Sequence, residues 1–177
     1  MLYIVTALKP EAQAFVEKYR LTKAKCGKFT LFSAKELRVI LSGVGTDNAK
    51  EATDALIKNF NPSKDDIFVN IGICGASKIY KIGELIKVSH VIYKDKKHII
   101  SNNILSTLTC KDTEVFRSLD DIVDMESYGF CEATSCLKNR YIYKVVSDHF
   151  QPSRVTKDET KKLISDVIDY VIKEVKN

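Results

Sequence analysis

Val123-Asp124-Met125-Glu126-Ser127 places two carboxylates where an apolar run gives way to helical spacing. Residues 122–125 have the composition of a short strand, and the apolar residues after them recur at helical spacing to about Lys138. The helix dipole stabilises a carboxylate at a helix start on its own account. The stretch therefore predicts a strand-to-helix junction whose acids are either helix caps or part of a site.

The change from strand to helix occurs repeatedly along the chain. Strands are predicted over residues 2–7, 30–33, 37–41, 66–72, 85–93, 104–109 and 141–146, with a turn at Asn102-Asn103. Helices are predicted from Lys9, over about 48–60, over 112–119 and over 155–175. This order predicts an α/β fold in one domain, residues 1–177, with a central mixed β-sheet and helices on both faces.

Acidic residues also stand at two other predicted strand ends. Glu11 follows the first strand, and Asp148 follows the strand at 141–146. The segment Gly72-Ile73-Cys74-Gly75-Ala76 predicts a loop of small residues, which either admits a ligand to the backbone or lets two strands pack. Ligands of α/β sheets bind beyond the carboxyl ends of strands, so we expect Glu11, Glu126 and Asp148 to converge there.

Two glycines precede the predicted helix at 48–60, in the stretch Ser42-Gly43-Val44-Gly45-Thr46-Asp47. The backbone N–H groups of such a turn can bind an anion. Two glycines alone match neither a dinucleotide fingerprint nor a P-loop. The alternative is a tight turn in which Thr46 or Asp47 caps the helix.

Composition excludes several classes of protein. The net charge of +5 comes from 28 Lys and Arg dispersed among 23 Asp and Glu, without the basic stripe of a nucleic-acid-binding protein. Five cysteines without CxxC spacing or a His cluster predict neither disulfides nor a zinc site. No apolar run has the length of a membrane span. We expect a cytoplasmic protein that binds neither nucleic acid nor membrane.

Several segments, in the same order, resemble the purine nucleoside phosphorylase/nucleosidase superfamily, and within it the methylthioadenosine/S-adenosylhomocysteine nucleosidases. The matching segments are Ala7-Leu8-Lys9-Pro10-Glu11, residues 42–49, residues 70–76, Lys81-Ile82-Gly83-Glu84-Leu85, Val123-Asp124-Met125-Glu126 and Val145-Val146-Ser147-Asp148. The resemblance covers most of the chain. It implies a three-layer phosphorylase/hydrolase-like fold, no metal or organic cofactor, and a homodimer in which the neighbouring subunit completes part of the 5′ pocket.

The resemblance also implies an enzyme that cleaves the N-glycosidic bond of a purine nucleoside, such as methylthioadenosine or S-adenosylhomocysteine. Glu126 would bind the ribose hydroxyls and stabilise positive charge on the sugar, Asp148 would protonate N7 of the purine, and Glu11 would activate water. The residues implied to bind the ligand are Met125, Ile73, Lys144, Ser147 and Gly72.

The sequence departs from this family between Tyr93 and Asp121, a short region where members recognise the purine and shape the 5′ pocket. Thr109-Cys110-Lys111-Asp112-Thr113-Glu114 replaces the usual Ser-Gly-Asp-x-Phe segment. Lys144 stands where the nucleosidases carry an Arg near the water, which keeps the charge and loses the bidentate geometry. The substrate is therefore the least defined part of the prediction.

Hydrolysis is favoured over phosphorolysis because residues 5–12 lack the Gly-Asp-Pro-x-Arg segment of phosphorylases, and Glu11 would repel phosphate. Two alternatives remain, a phosphate-dependent phosphorylase and a nucleoside-binding member with weak catalysis. Cys74 as a nucleophile would need a His and an orienting carboxylate that the sequence does not place beside it. His149 is interpreted as a supporting or surface residue.

Overall fold

A computed structural model describes residues 1–102 and 106–177 of the chain, and these contain eleven strands and four α-helices. The strands are β1 (Leu2–Thr6), β2 (Thr22–Cys26), β3 (Phe29–Ser33), β4 (Leu37–Leu41), β5 (Ile67–Ala76), β6 (Leu85–Lys87), β7 (His90–Tyr93), β8 (Lys96–Ile99), β9 (Thr107–Cys110), β10 (Ile122–Asp124) and β11 (Arg140–Asp148). The helices are α1 (Lys9–Tyr19), α2 (Thr46–Phe60), α3 (Ser127–Ala133) and α4 (Lys157–Lys176), with a 3-10 turn at Pro152–Arg154.

One mixed sheet contains all the described strands, in the order β2-β3-β4-β1-β5-β10-β9-β7-β8, with β11 paired to β5 and β6 paired to β11. The central strand β5 runs parallel to β11 along most of its length. Its other edge pairs in parallel with β1 up to Asn70 and then antiparallel with β10 from Gly75. This edge therefore changes partner between Asn70 and Gly75, at the carboxyl end of β1.

Helices cover both faces of the sheet. On one face α1 and α4 pack together over Ile4 and Val69, while on the other α2 and α3 pack over Val5 and Phe68. Adjacent residues of β1 and β5 thus point into opposite cores, because successive strand side chains alternate between faces. The predicted α/β fold, a central mixed sheet between two helical layers, is confirmed.

Most predicted elements are present, but two strands were not predicted and several predicted elements differ in extent or type. The edge strand β2 was not predicted because four of its five residues are exposed, so it lacks an apolar alternation. The predicted strand 85–93 is two strands, β6 and β7, since the chain leaves β11 and joins β9 near Ser89, whose hydroxyl donates to the Ser106 carbonyl. The hairpin strand β8 was also not predicted.

The other two corrections concern α3 and residues 112–119. The helix α3 ends at Ala133, short of the predicted end at Lys138. At Ala133 the next residue, Thr134, donates its hydroxyl to the Phe130 carbonyl, and a turn follows. Residues 112–119 form no helix. Asn103 of the predicted turn and the first two residues of the predicted strand 104–109 lie outside the described residues. No described helix combines the length and the apolar composition that crossing a bilayer requires.

The close approach of α2 and α3 depends on Gly129. A Cβ atom on Gly129 would lie 1.9 Å from the Thr46 carbonyl oxygen, which is far inside van der Waals contact. Only a residue without a side chain lets the two helix starts meet there. Because Gly45 and Glu126 immediately precede these helices, this packing also fixes how those two residues face each other.

We predict that Gly129→Ala lowers the free energy of unfolding by about 1–3 kcal/mol, because the added methyl group forces the two helices apart. Urea denaturation measures the change. Lys58→Ala, on the exposed surface of α2, serves as the control and should stay within about 0.5 kcal/mol of the parent. An unchanged unfolding free energy in Gly129→Ala would contradict the proposed close packing.

Candidate active site

A cleft opens where β5 changes partner. Its walls come from the β1–α1 connection, the α2 turn, the end of β5, an irregular segment before β10, the β10–α3 junction and the end of β11. The lining residues are Ala7, Leu8, Glu11, Val44, Ile73, Cys74, Gly75, Thr113, Glu114, Val115, Val123, Asp124, Met125, Glu126, Ser147, Asp148 and Pro152. The three predicted catalytic residues thus line one cleft.

Glu11 is almost fully buried, with 1% of its surface exposed, and backbone donors hold its carboxylate. Its Oε2 accepts from the N–H groups of Ala7 (3.0 Å) and Leu8 (2.8 Å). Its Oε1 accepts from the N–H of Ile73 (3.0 Å), in the part of β5 between its two ladder partners. Burial raises the pKa of Glu11, and these hydrogen bonds and the nearby Lys144 oppose the rise.

Gly72 makes room for this carboxylate. A Cβ atom at residue 72 would lie 2.8 Å from Glu11 Oε1. Gly72 was predicted to bind the ligand, but it is not among the residues that line the cleft. Its observed role is to let the Glu11 carboxylate lie against β5. The segment Ile73–Ala76, predicted to be a loop, is the last part of β5, and its small residues fit between β11 and β10.

Glu126 lies at the start of α3 and is held by the glycine turn of α2. Its Oε1 accepts from the N–H of Gly45 at 3.0 Å. Gly43 and Gly45 have φ values of 86° and 107°, which favour glycine, so the sequence of the turn follows from its shape. The cap residue of α2 is Gly45, which has no side chain, so neither Thr46 nor Asp47 caps this helix. The turn thus binds a protein carboxylate.

Asp124 and Lys144 form a buried ion pair behind Glu126. Lys144 Nζ lies 2.7 Å from Asp124 Oδ2, and each side chain is 1% exposed. The same oxygen accepts from the N–H (3.0 Å) and the hydroxyl of Ser127. Ser127 also contacts Asn70, whose amide donates to the Val5 carbonyl. Lys144 was predicted to bind the ligand, but it does not line the cleft and instead contacts Asp124.

Asp148 ends β11, which pairs with the edge of β5 that does not change partner. Its Oδ2 accepts from the Ser147 hydroxyl (2.7 Å), and its Oδ1 accepts from the N–H of Gln151 (2.7 Å). The Ser147 hydroxyl is also 3.1 Å from the Cys74 carbonyl. A β-bulge at Ser147 separates Val146 from Asp148, and it turns the carboxylate out of the ladder.

The buried charges do not balance. Among the described residues, Glu11, Asp124 and Glu126 are the buried carboxylates and Lys144 is the buried cation. Burial and the charge of Asp124 raise the pKa of Glu126 to about 7, although Lys144 and the Gly45 N–H oppose this rise. One proton is therefore bound and released by this cluster close to neutral pH.

Two other residues raised by the sequence have no reactive role in this geometry. Burial strongly raises the pKa of Cys74, which disfavours the thiolate that a nucleophile requires. His149 bonds through Nδ1 to the Ala76 carbonyl at 2.9 Å. No three His, Cys, Asp or Glu side chains in residues 1–102 and 106–177 are grouped to hold a metal ion.

Some residues of the site were not predicted. Gly129 acts through backbone geometry, and only the helix crossing identifies it. The glycine turn at residues 42–47 was predicted as a possible anion site, and its Gly45 N–H binds the Glu126 carboxylate. Thr113, Glu114 and Val115 line the cleft from an irregular segment that has no periodic pattern. Met125, Ile73 and Ser147 do line the cleft, as expected of ligand-binding residues.

Known proteins are similar to this chain in a segment of sequence and in architecture. No protein-family model matches the chain. A segment of 62 residues is 37% identical to the 5′-methylthioadenosine/S-adenosylhomocysteine nucleosidase of Staphylococcus epidermidis, spanning 34% of this chain and 26% of that relative. The sequence match therefore spans about a quarter of the curated relative's length.

Solved structures match over nearly the whole chain. The methylthioadenosine/S-adenosylhomocysteine nucleosidase of Helicobacter pylori, with butyl-thio-DADMe-Immucillin-A, superposes with a TM-score of 0.83 at 14% identity, covering 99% of this chain and 97% of that one. This chain has the nucleosidase fold. The futalosine hydrolase of Helicobacter pylori shares the fold too, with a TM-score of 0.78 at 14% identity over 96% of this chain and 97% of that one.

The resemblance inferred from the motifs is thus confirmed at the level of the nucleosidase fold. A methylthioadenosine/S-adenosylhomocysteine nucleosidase and a futalosine hydrolase share that fold with this chain to a similar extent. The fold alone therefore does not select a substrate, and the residues of the cleft carry that information.

We predict that Gly72→Ala costs about 1–3 kcal/mol of unfolding free energy, because the added methyl group pushes the Glu11 carboxylate off its backbone donors. A double-mutant cycle with Glu11→Ala tests the cause by urea denaturation. The cost of Gly72→Ala should fall once the carboxylate is absent. An equal cost in both backgrounds would show that Gly72 matters for some other reason.

We also predict that Glu126→Gln is more stable, relative to the parent protein, at pH 8 than at pH 5. Folding raises the Glu126 pKa from 4.5 to about 7, so its protonated form stabilises the fold below pH 4.5 and that stabilisation is lost as the pH rises through 7. The glutamine avoids this loss, which is worth about 2–3 kcal/mol. Denaturation of both proteins at the two pH values measures the difference.

The control for this experiment is Glu17→Gln, on the exposed surface of α1, whose relative stability should be the same at pH 5 and pH 8. If Glu126→Gln behaves like Glu17→Gln, then the Glu126 carboxylate is not the group that titrates near neutral pH.

Proposed function

We propose that the chain is a nucleosidase, an enzyme that hydrolyses the N-glycosidic bond of a purine nucleoside and releases the free base. The observation that carries this proposal is the position of the Glu11 carboxylate, which accepts three backbone N–H groups at the wall of the cleft. Such a cluster of N–H groups is a typical anion site. A protein carboxylate fills it here, which supports water rather than phosphate as the second substrate.

The geometry supports a division of roles among the three acids. Ionised Glu126, facing the cleft beside Met125, would accept hydrogen bonds from ribose hydroxyls and stabilise the positive charge that develops on the sugar. Asp148, in its protonated form, would donate that proton to N7 of the purine as the carbon–nitrogen bond breaks. The bonding electrons leave with the base.

Glu11 would complete the reaction by taking a proton from the water that attacks the sugar carbon. Burial raises its pKa, which makes it a stronger base than an exposed glutamate. Ile73 shapes the wall beside it and Ser147 orients the Asp148 carboxylate. The scheme requires no metal or organic cofactor.

The proposed substrate is a purine nucleoside such as methylthioadenosine or S-adenosylhomocysteine. The matched segment of the Staphylococcus epidermidis enzyme and the nucleosidase structures support this class. Thr113, Glu114 and Val115 form the part of the wall that departs most from the family motif. The identity of the base therefore depends on this segment.

We further propose a cytoplasmic, single-domain protein that forms a homodimer. Val44 lines the cleft and is 44% exposed, and Phe116 and Leu119, just after the lining segment, are 61% and 105% exposed. In the proposed dimer a neighbouring subunit would cover these side chains. Light scattering tests the dimer, and a fully active monomer would reject it.

The enzymatic proposal is tested with a panel of methylthioadenosine, S-adenosylhomocysteine, adenosine, inosine and futalosine, each with and without phosphate. Release of free base and free sugar without phosphate is expected. Release that requires phosphate would identify a phosphorylase instead. Binding of these nucleosides without any release would favour the nucleoside-binding alternative.

We predict that Glu11→Gln and Asp148→Asn each lower the rate of base release by about 10²–10⁴-fold, the usual contribution of a general acid or base. Affinity for an unreactive nucleoside analogue, measured by calorimetry, should change far less. Asp95→Asn, in the exposed turn between β7 and β8, is the control and should keep the parent rate. Loss of analogue binding without a separate loss in turnover would contradict these catalytic roles.

A further inference from the structure

The buried Lys144 side chain does not line the cleft, but its charge acts on three carboxylates that do. It is the buried cation among the residues described, and its charge lies close to three buried carboxylates. Burial opposes the charge on Lys144, but Asp124, Glu126 and Glu11 outweigh it and raise the Lys144 pKa. Lys144 is therefore charged throughout the range in which the carboxylates titrate.

Groups from every surrounding element face this charge. Glu11 comes from α1, Cys74 from β5, Asp124 and Glu126 from the β10–α3 junction, and Cys131 from α3. The charge of Asp148, at the end of β11, acts on Cys74. The two cysteines stay neutral because burial strongly raises the pKa of Cys74 and raises that of Cys131 to about 12. The carboxylates are thus the groups whose charge can respond.

Asp124 is fixed on one side only. Lys144 and both donors of Ser127 contact Oδ2, whereas Oδ1 is buried without a hydrogen-bond partner among the described residues. A buried oxygen without a partner is costly, so the contacts of Asp124 compensate its burial only in part. The charge of Asp124 opposes ionisation of Glu126, while Lys144 favours it.

We propose that Lys144 and Asp124 form an electrostatic positioning pair that sets the pH at which Glu126 becomes ionised, and so the pH range in which the cleft can accept a sugar. Neither residue needs to touch the substrate. This inference rests on the proposed function for its effect on turnover, but the charge control itself is a property of the protein without a ligand.

The pair predicts opposite effects for its two members. Lys144→Met removes the favourable charge and should move the acid limb of the rate profile up by about one pH unit or more. Asp124→Asn removes the unfavourable charge and should move the limb down. Lys144→Arg keeps the charge and should return the midpoint to within about half a unit of the parent. A merely structural role would lower the rate without these opposed shifts.

The carboxyl titration without a ligand separates this inference from the proposed activity. Infrared spectroscopy follows the protonated carboxyl band against pH, and Glu126→Gln identifies the band of Glu126. Opposed shifts of that band support the pair even if no nucleoside is cleaved. An unshifted band in both Asp124→Asn and Lys144→Met, with normal base release, would overturn it. If Lys144→Met does not fold, Asp124→Asn and Lys144→Arg still decide the outcome.

Discussion

The change of partner along β5 is the constraint on which the site depends. Up to Asn70 this edge of the strand is paired with β1, and from Gly75 it is paired with β10. Between these two ladders the N–H of Ile73 bonds to Glu11 instead of to a neighbouring strand. A buried backbone donor must find an acceptor, and the first turn of α1 brings a carboxylate to it. The gap in the sheet and the position of Glu11 are therefore one feature.

The same constraint explains why the site contains so much buried charge. Carboxylates are costly to bury, and here the cost is offset by backbone N–H groups for Glu11, the Gly45 N–H for Glu126 and an ion pair for Asp124. The compensation is complete for none of them, since Glu126 titrates near neutral pH and Asp124 leaves one oxygen unpartnered. Buried charges that are only partly compensated are typical of a site in which proton transfer takes place.

Sequence patterns were sufficient for the layers of the fold and for the three acids of the cleft. The alternation of strands and helices predicted a mixed sheet with helices on both faces, and the acids at strand ends were found because such ends meet at one edge of a sheet. The edge strand β2 and the division of 85–93 were not accessible, because exposed lysines and a change of partner leave no apolar period. The resemblance gave Gly72 as a ligand-binding residue, and what the structure adds is that its lack of a side chain makes room for the Glu11 carboxylate.

The role of Lys144 shows what a motif cannot supply. Its position was found from the resemblance, yet the side chain does not line the cleft and instead contacts Asp124, which does. Its proposed effect on the cleft is exerted through charge alone. A lysine carries a compact charge without the paired donors of an arginine. One carboxylate therefore makes the direct contact with Lys144, and the other two interact with its charge through space. Asp124 occupies that contact. The two neighbouring carboxylates of the Val123–Ser127 stretch thus act in opposition, and the balance between them determines the charge that the cleft presents.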